Sequence, residues 1–250
     1  MVSERHPRYR SLALRNKLVG GYEKGITSAH GLIAHGRGEA FDYLLGEKTT
    51  ENALEATQVA CAYLLTAGHP VISVNGNTVA LAPEEIAEFC TITGIPVEVN
   101  LFHRSVERIT KIADYLRACG VTDVMTGLDS VELAGVASER AKVDKRGIFA
   151  ADVVFVPLED GDRAQALTRL GKVVLTVDLN PISRTALTST VTIVDEFTRA
   201  MKNLVGFAKR FQAENSQYRL HTLKATFNNS ENLKASYAAI QRRLQVLSLR

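Results

Sequence analysis

The sequence predicts an α/β fold of the Rossmann-like kind: a mainly parallel sheet with helices on both faces and helical N- and C-terminal extensions. Three observations carry that prediction. Short β-branched runs recur along the chain, as in "PVISV", "PVEVNLF", "ADVVFVPL" and "KVVLTVDL". Helix-length stretches separate them, and several end at a glycine (68, 94, 120 and 171), the residue that terminates helices most readily. The runs are also continuously apolar, the mark of strands buried on both faces of a parallel sheet.

In chain order, residues 8–24 read as a helix up to the glycines at 20, 21 and 25. "TTENALEATQVACAYLLTA" is the next helix, followed by a strand near 71–75. "APEEIAEFCTIT" leads to a strand near 96–101, and "RSVERITKIADYLRAC" to one near 121–125. Further strands are expected near 152–157, 172–178 and 191–194, with "DRAQALTRL" helical between two of them. Spacings of roughly 20–30 residues between strands suit right-handed crossovers. Residues 196–213 and 231–248 are helical, and 214–230 has no assignment. Leu233, Tyr237, Ile240, Leu244 and Leu247 recur at helical spacing, which suits packing on the domain or a subunit interface. The chain 1–250 therefore reads as a single α/β domain with an N-terminal helical segment (1–48), a parallel-sheet core (49–195) and a C-terminal helical segment (196–250).

Bulk properties exclude several classes. A hydrophobic share of 46% over 250 residues allows a sizeable core. A net charge of +3 without basic runs argues against nucleic acid. No apolar run approaches the ~20 residues of a membrane helix. The opening "MVSERHPRYR" does not resemble a secretory signal. Cys61, Cys90 and Cys119 have no metal or CxxC spacing, and read as buried small residues in a reducing cytoplasm.

In open parallel sheets, ligands bind beyond the carboxyl ends of the strands. Here those ends carry Asn75 and Asn77, Asn100, His103 and Arg104, Leu128 and Asp129, "LEDGDR", "DLNPISRT", and Asp195-Glu196. Each group alone is also what a helix cap looks like. Together they outline a pocket rim. Asp178 can accept hydrogen bonds from a ribose or base, and Ser183, Arg184 and Thr185 suit phosphate oxygens. The acids of "PLEDGDR" suit either Mg²⁺ or a turn with a helix cap. "SERAKVDKRG", with Arg140, Lys142, Lys145 and Arg146, reads as a solvated loop or an anion grip. No GxGxxG opens a βα unit. "GGYEKGIT" follows a helix and lacks the lysine of a P-loop. The six histidines show no paired metal spacing. No residue is assigned as catalytic base or metal ligand.

"GLIAHGRGEAFDYLLGE" raises a separate question, because Arg37 stands between Gly36 and Gly38. The bracketing glycines suggest a side chain meant to reach a ligand while the backbone leaves room for close approach. The alternative is that Arg37 pairs with Glu39 or Asp42 and holds a turn.

With its surroundings, "HPRYRSLALRNKLVGGYEKGITSAHGLIAHGRGEAFDYLLGE", this stretch resembles the archaeal phosphopantothenate synthetase (4-phosphopantoate–β-alanine ligase) family. The resemblance continues through "PVISVNGN", "EVNLFHR", "ADVVFVPLEDGDR" and "DLNPISRT", and covers nearly the whole chain before residue 205. It implies a homodimeric, Rossmann-like ligase of coenzyme A biosynthesis. Such an enzyme condenses 4-phosphopantoate with β-alanine at the expense of ATP, through an acyl-adenylate, and releases AMP and pyrophosphate. The nucleotide contacts it implies are Arg15, Arg37, Asp178, Leu179, Asn180, Arg184, Thr185, Asp195 and Glu196. The family reads Asp-Asn where this chain has Asp195-Glu196. Asn75, Asn77, Asn100 and Arg104 are candidates for holding the other substrates, and Mg²⁺ is the expected metal. Bringing a triphosphate to a phosphorylated acid calls for several fixed cations, which Arg15, Arg37, Arg104 and Arg184 can supply. A kinase or NAD-dependent oxidoreductase on the same sheet would show the phosphate loop that is missing. A non-catalytic ATP sensor would bind nucleotide without releasing pyrophosphate.

Overall fold

The computed structural model describes residues 3–214 and 216–248, so both chain ends and Asn215 lie outside the description. Its centre is a six-stranded sheet in which every pairing is parallel. The strands are β1 (Pro70–Val74), β2 (Val97–Val99), β3 (Val124–Met125), β6 (Val153–Phe155), β7 (Val173–Val177) and β8 (Val191–Ile193). Their order is β3-β2-β1-β6-β7-β8. The chain builds outward from β1 to β3, then returns to β6 on the other side of β1. That return makes the β1/β6 junction the switch point, where two crossovers diverge and leave a crevice.

Alternation along each strand sends neighbouring residues to opposite faces. Ile72, Val74, Val97, Val99, Val153, Phe155, Leu175, Val177, Val191 and Ile193 face one buried cluster. Its cover is α3 (Glu51–Thr66), α5 (Pro83–Thr93), α6 (Val106–Ala118) and α9 (Phe197–Glu214). Val71, Val154, Val156 and Val174 face the other cluster, covered by α7 (Gly161–Arg169) and by a small hairpin of β4 (Ser130–Glu132) and β5 (Lys142–Asp144). Leu18 and Ile26 from the N-terminal segment share the first cluster with Phe197, Met201 and Phe211 from the C-terminal segment. The end helices thus pack into the core of the sheet.

All six expected strands are present, with β2 and β3 shorter than the apolar runs suggest. The hairpin is an addition. It pairs Glu132 with Lys142 and offers too few apolar residues to register as strand. Residues 214–230 contain α10 (Gln217–Thr226), and 231–248 fall in α11 (Asn229–Ser248). The apolar stripe of α11 divides: Leu233, Tyr237 and Ile240 pack with Leu45 and Leu179, while Leu244 and Leu247 stay about half exposed at 48% and 49%.

The largest departure from the sequence reading concerns residues 29–45. They form one helix, α2 (Ala29–Leu45), closed by left-handed Gly46. Gly36 and Gly38 are therefore helical residues; neither is a turn and neither has positive φ. The preceding helix α1 (Tyr9–Glu23) and the short α4 (Gly76–Leu81) and α8 (Arg184–Thr188) complete the fold around the site. Close approach does demand glycine at Gly76, where a Cβ would lie 2.3 Å from the Ile26 carbonyl oxygen. This contact holds the loop before α2 against the end of β1.

Candidate functional site

At the switch point lies a cavity of about 750 Å³. The ends of the four central strands reach it: Asn75 to Asn77 after β1, Leu101 to His103 after β2, Leu158 to Gly161 after β6, and Asp178 to Thr185 after β7. The outer strands β3 and β8 end too far to the side, so Leu128, Asp129, Asp195 and Glu196 do not line it. α2 forms the facing wall. Gly31, Ala34, His35, Arg37, Gly38 and Phe41 follow the three-and-four spacing of one helical face. A Cβ on Gly36 would meet nothing within 4 Å, and one on Gly38 would only reach Leu179 at 4.0 Å. Gly31, Ala34 and Gly38 keep this wall open, while Gly36 does not line it.

Eight of the thirteen sequence-derived candidates line the cavity: Arg37, Asn75, Asn77, Asp178, Leu179, Asn180, Arg184 and Thr185. Several are already occupied in holding its shape. The Asn75 Oδ1 accepts from the Asn77 and Thr78 amides, and its Nδ2 donates to the carbonyls of Pro157 (3.3 Å) and Leu158 (3.1 Å). It ties the end of β1 to the end of β6. Asn77 accepts from the Thr27 hydroxyl and donates to the Gly31 carbonyl at 2.8 Å. Asp178 accepts from the Asn180 amide at 2.9 Å and from the Ser183 hydroxyl. Burial raises its pKa, opposed by those bonds and by the nearby Arg37 charge. Thr185 donates to the Glu159 carbonyl at 3.0 Å.

Arg37 and Arg184 differ in kind. Among the described residues neither side chain has a hydrogen-bond or ion-pair partner. Arg37 does not pair with Glu39 or Asp42: Glu39 is held by Arg15 at 2.7 Å and by Tyr43 at 2.9 Å, and Asp42 by Arg199. Arg184 lies against the first turn of α7, where a Cβ on Gly161 would come within 2.5 Å of the Arg184 Cβ. Gly161 is required for that approach.

The remaining five candidates sit around the cavity. Arg15 pairs with Glu39 on the far side of α2. There a second cavity of about 30 Å³ is lined by Glu39, Asp42, Glu196 and Arg199, and shares His35 and Leu179 with the large one. Asp195 is buried and bound by Thr49 at 2.6 Å and Arg199 at 2.7 Å. Asn100 is buried, and its Nδ2 donates to the carbonyls of Arg140 (3.3 Å) and Lys142 (3.1 Å). Arg104 donates to the carbonyls of Thr126 and Gly127. Asn100 and Arg104 thereby hold the loops that flank the site.

The cavity floor is an ionic network that the sequence reading did not assemble, with Arg140, Glu159 and Asp160 lining the cavity and Arg163 behind them. Glu159, with a side chain 2% exposed, bridges Arg140 (Nε to Oε1, 3.2 Å) and the fully buried Arg163. Arg140 also reaches Asp160 at 2.8 Å, and Arg163 donates to the Ser73 hydroxyl at 3.2 Å. On the neighbouring strand Glu98 caps the Asp144 amide at 3.0 Å and the Ile148 amide at 2.7 Å. Burial pushes its carboxyl up to about 7. The cationic 138–147 stretch is accordingly a 3-10 turn (Glu139–Ala141), the strand β5 and the start of a helical turn (Lys145–Phe149), with Arg140 6% exposed rather than solvated. Leu158, at φ 55°, turns the chain out of β6 into the cavity, a backbone conformation that a branched residue adopts only under constraint.

Arg108 was also missed, although "NLFHR" stops four residues before it. It stands in the first turn of α6 and lines the cavity. Its donors go to the carbonyls of His103 and Ile26 (3.0 Å for Ile26), with no carboxylate partner among the described residues.

No cluster of three or more metal-ligating side chains exists among the described residues. Asp160 has a side chain 44% exposed and lines the cavity. It fits a magnesium ion that takes most of its ligands from phosphate and water. No helix among the described residues is long and apolar enough to cross a membrane.

A doubly wound sheet with three arginines free of ion pairs among the described residues at its switch point has the makings of an anion-binding α/β enzyme. Comparison with known proteins narrows the class. The Phosphopantothenate/pantothenate synthetase family description matches residues 52–243, and the chain belongs to that family. A Methanosarcina mazei relative is 47% identical over 243 residues, covering 97% of this chain and 95% of its own length. One from Thermococcus kodakarensis is 46% identical over 248 residues, covering 99% and 95%. One from Methanospirillum hungatei is 54% identical over 207 residues, covering 83% and 84%. All three bear the name 4-phosphopantoate–beta-alanine ligase.

Proposed function

We propose that this protein is an ATP-dependent ligase of coenzyme A biosynthesis that joins 4-phosphopantoate to β-alanine and forms 4′-phosphopantothenate. The observation that carries the reading is the arginine-rich switch-point cavity in a chain of this family. A carboxylate is a poor acyl donor. Its oxygen attacks the α-phosphorus of ATP, the bond to pyrophosphate breaks, and an acyl-adenylate forms. The β-alanine amine then attacks the acyl carbon, AMP leaves with the C–O electron pair, and the nitrogen loses a proton.

Both steps gather negative charge, so fixed cations are the chief requirement. In this reading Arg37 and Arg184 meet the nucleotide phosphates, while Asp178, Leu179, Asn180 and Thr185 hold the nucleoside side. Glu196 acts from the smaller cavity across α2, and Arg15 and Asp195 through the Glu39 and Arg199 side chains that line it. Asn75 and Asn77, with Asn100 and Arg104 behind them, keep the acid-binding wall in place. Magnesium bound with the nucleotide would sit by Asp160 and shield charge between the phosphates. We further propose a cytoplasmic homodimer, which the exposed Leu244, Val246 and Leu247 at the end of α11 support.

The test is a coupled assay for AMP and pyrophosphate. Pyrophosphate should appear with ATP and 4-phosphopantoate, while release of AMP and repeated turnover should require β-alanine. ATP binding with no pyrophosphate under any combination would make the protein a nucleotide sensor instead.

A further inference from the structure

The second half of the ligase reaction has protons to dispose of. A primary alkyl amine such as that of β-alanine has a pKa on the order of 10, so at neutral pH it arrives as an ammonium. It must shed one proton before its lone pair can attack the acyl carbon. It sheds a second once the N–C bond has formed. A base held beside the reacting atoms speeds such steps, provided that it is neutral at the working pH and can pass each proton on.

His35 meets both conditions. It stands on the cavity face of α2, two residues before Arg37. Only His35 and Leu179 line both the large cavity and the small one behind α2, and of the two only His35 can carry a proton. At about 30 Å³ the small cavity has room for one or two waters. The acids Glu39, Asp42, Glu47 and Glu196 line it, with the arginines Arg10 and Arg199. Glu47 is partly exposed, which connects the cavity to solvent. The His35 Nε2 is buried without a partner, and among the described residues nothing hydrogen-bonds the ring. Packing alone does not explain an imidazole whose polar atom is desolvated and unused. Burial and the Arg15 charge lower its pKa, against the pull of Glu39 and Asp42, so the ring is a neutral base at pH 7.

We infer that His35 is the base of the amide-forming step: it accepts the protons that the β-alanine nitrogen sheds and hands them to water and carboxylate in the small cavity. The inference rests on the ligase reading above. The first proton goes from the ammonium to the imidazole, which frees the nitrogen lone pair. The imidazolium discharges across α2 and is a base again. The N–C bond then forms, the C–O bond to AMP breaks with its electron pair leaving on AMP, and the second proton follows the first. The neighbouring Arg37, in the same reading, holds the phosphate that departs.

The experiment compares two acceptors, β-alanine and hydroxylamine, in the AMP-release assay with wild type and H35Q. Hydroxylamine is largely unprotonated at neutral pH and attacks without a base. Wild type must first release AMP with β-alanine; if it does not, the ligase reading fails and this assignment falls with it. Given that turnover, H35Q should lower kcat with β-alanine by roughly 10²–10⁴, the usual size of general-base catalysis. The hydroxylamine rate should fall far less, so the ratio of the two rates collapses. Raising the pH should recover H35Q with β-alanine about tenfold per unit as free amine accumulates. H35Q loses no hydrogen bond among the described residues, so it should fold as wild type. If it melts early, H35A carries the test: added imidazole should restore turnover with β-alanine and leave the hydroxylamine rate where it was. Equal losses with both acceptors in a folded variant, no response to pH or imidazole, or failure of both variants to fold overturns the assignment and leaves the ligase reading standing.

Discussion

Glu159→Gln gives the sharpest test of the buried network. The carboxylate stands between Arg163, whose side chain is 0% exposed, and Arg140, at 7%. Glutamine preserves the shape and removes the charge. Arg163 would then keep the Ser73 hydroxyl and a Coulombic contribution from Glu98, too little for a fully buried cation. Breaking one side of a buried pair costs about 3–5 kcal/mol, because the stranded charge stays desolvated. At ~2–4 °C per kcal/mol for a chain of this size, the melting temperature should fall by roughly 6–20 °C. Arg163→Met should cost less, since Glu159 retains Arg140. The double variant should be more stable than the sum of the two losses, because it removes both members of the Glu159–Arg163 pair. Thermal melts of the four proteins decide the matter. Glu159→Gln melting within ~2 °C of wild type, or strict additivity of the two losses, would refute the reasoning.

Two further predictions address the site and the pH dependence. Arg37→Lys should fold as wild type, since the arginine side chain has no partner to lose among the described residues, yet turnover should drop by ~10²–10³ as the planar fork is lost. An early-melting variant with normal activity per folded molecule would assign Arg37 to structure. Glu98 has its folded pKa raised from 4.5 to about 7, so the native state holds that proton more tightly than the unfolded chain. Its contribution is full below the unfolded value and is lost as pH rises through about 7. Melting temperature measured across that window should therefore fall more steeply for wild type than for Glu98→Gln; parallel curves would remove Glu98 as the cause.

The strands were legible because each is a short β-branched run, and the ends of β1 and β7 because turn-forming residues follow directly. α2 was not legible as a helix, because its glycines at 31, 36 and 38 are what helix propensity disfavours. Gly31 and Gly38 stand on the cavity wall, where a side chain at Gly31 would strike the Asn77 Oδ1 at 2.3 Å; nothing in the structure explains Gly36. Glu159 looked like a helix cap or a metal ligand. Its partner Arg140 lies nineteen residues away, in the connection of a hairpin with little apolar signal. Asn100 and Arg104 follow the correct strand, but their donors turn to backbone carbonyls in the flanking loops. Sequence position located the sheet edge, and only the packing of neighbouring loops decides which side chains there remain free.

The arginines make that distinction chemical. Arg15, Arg140, Arg163 and Arg199 are each matched to a carboxylate, and folding itself accounts for them. Arg37, Arg108 and Arg184 form no ion pair among the described residues, and only Arg37 has a carboxylate, Asp178, near enough to act on it; they line one cavity, where their charges raise the free energy of the empty protein. Self-repulsion of this kind destabilises a fold unless something else relieves it. Glu159 and Asp160 stand in the same cavity and could have been spent on these cations, but Arg140 and Arg163 already hold them. The interior pairs keep the available acids away from the open arginines. What the fold leaves unneutralised is a demand for negative charge in that cavity, and two phosphorylated substrates meeting there would satisfy it.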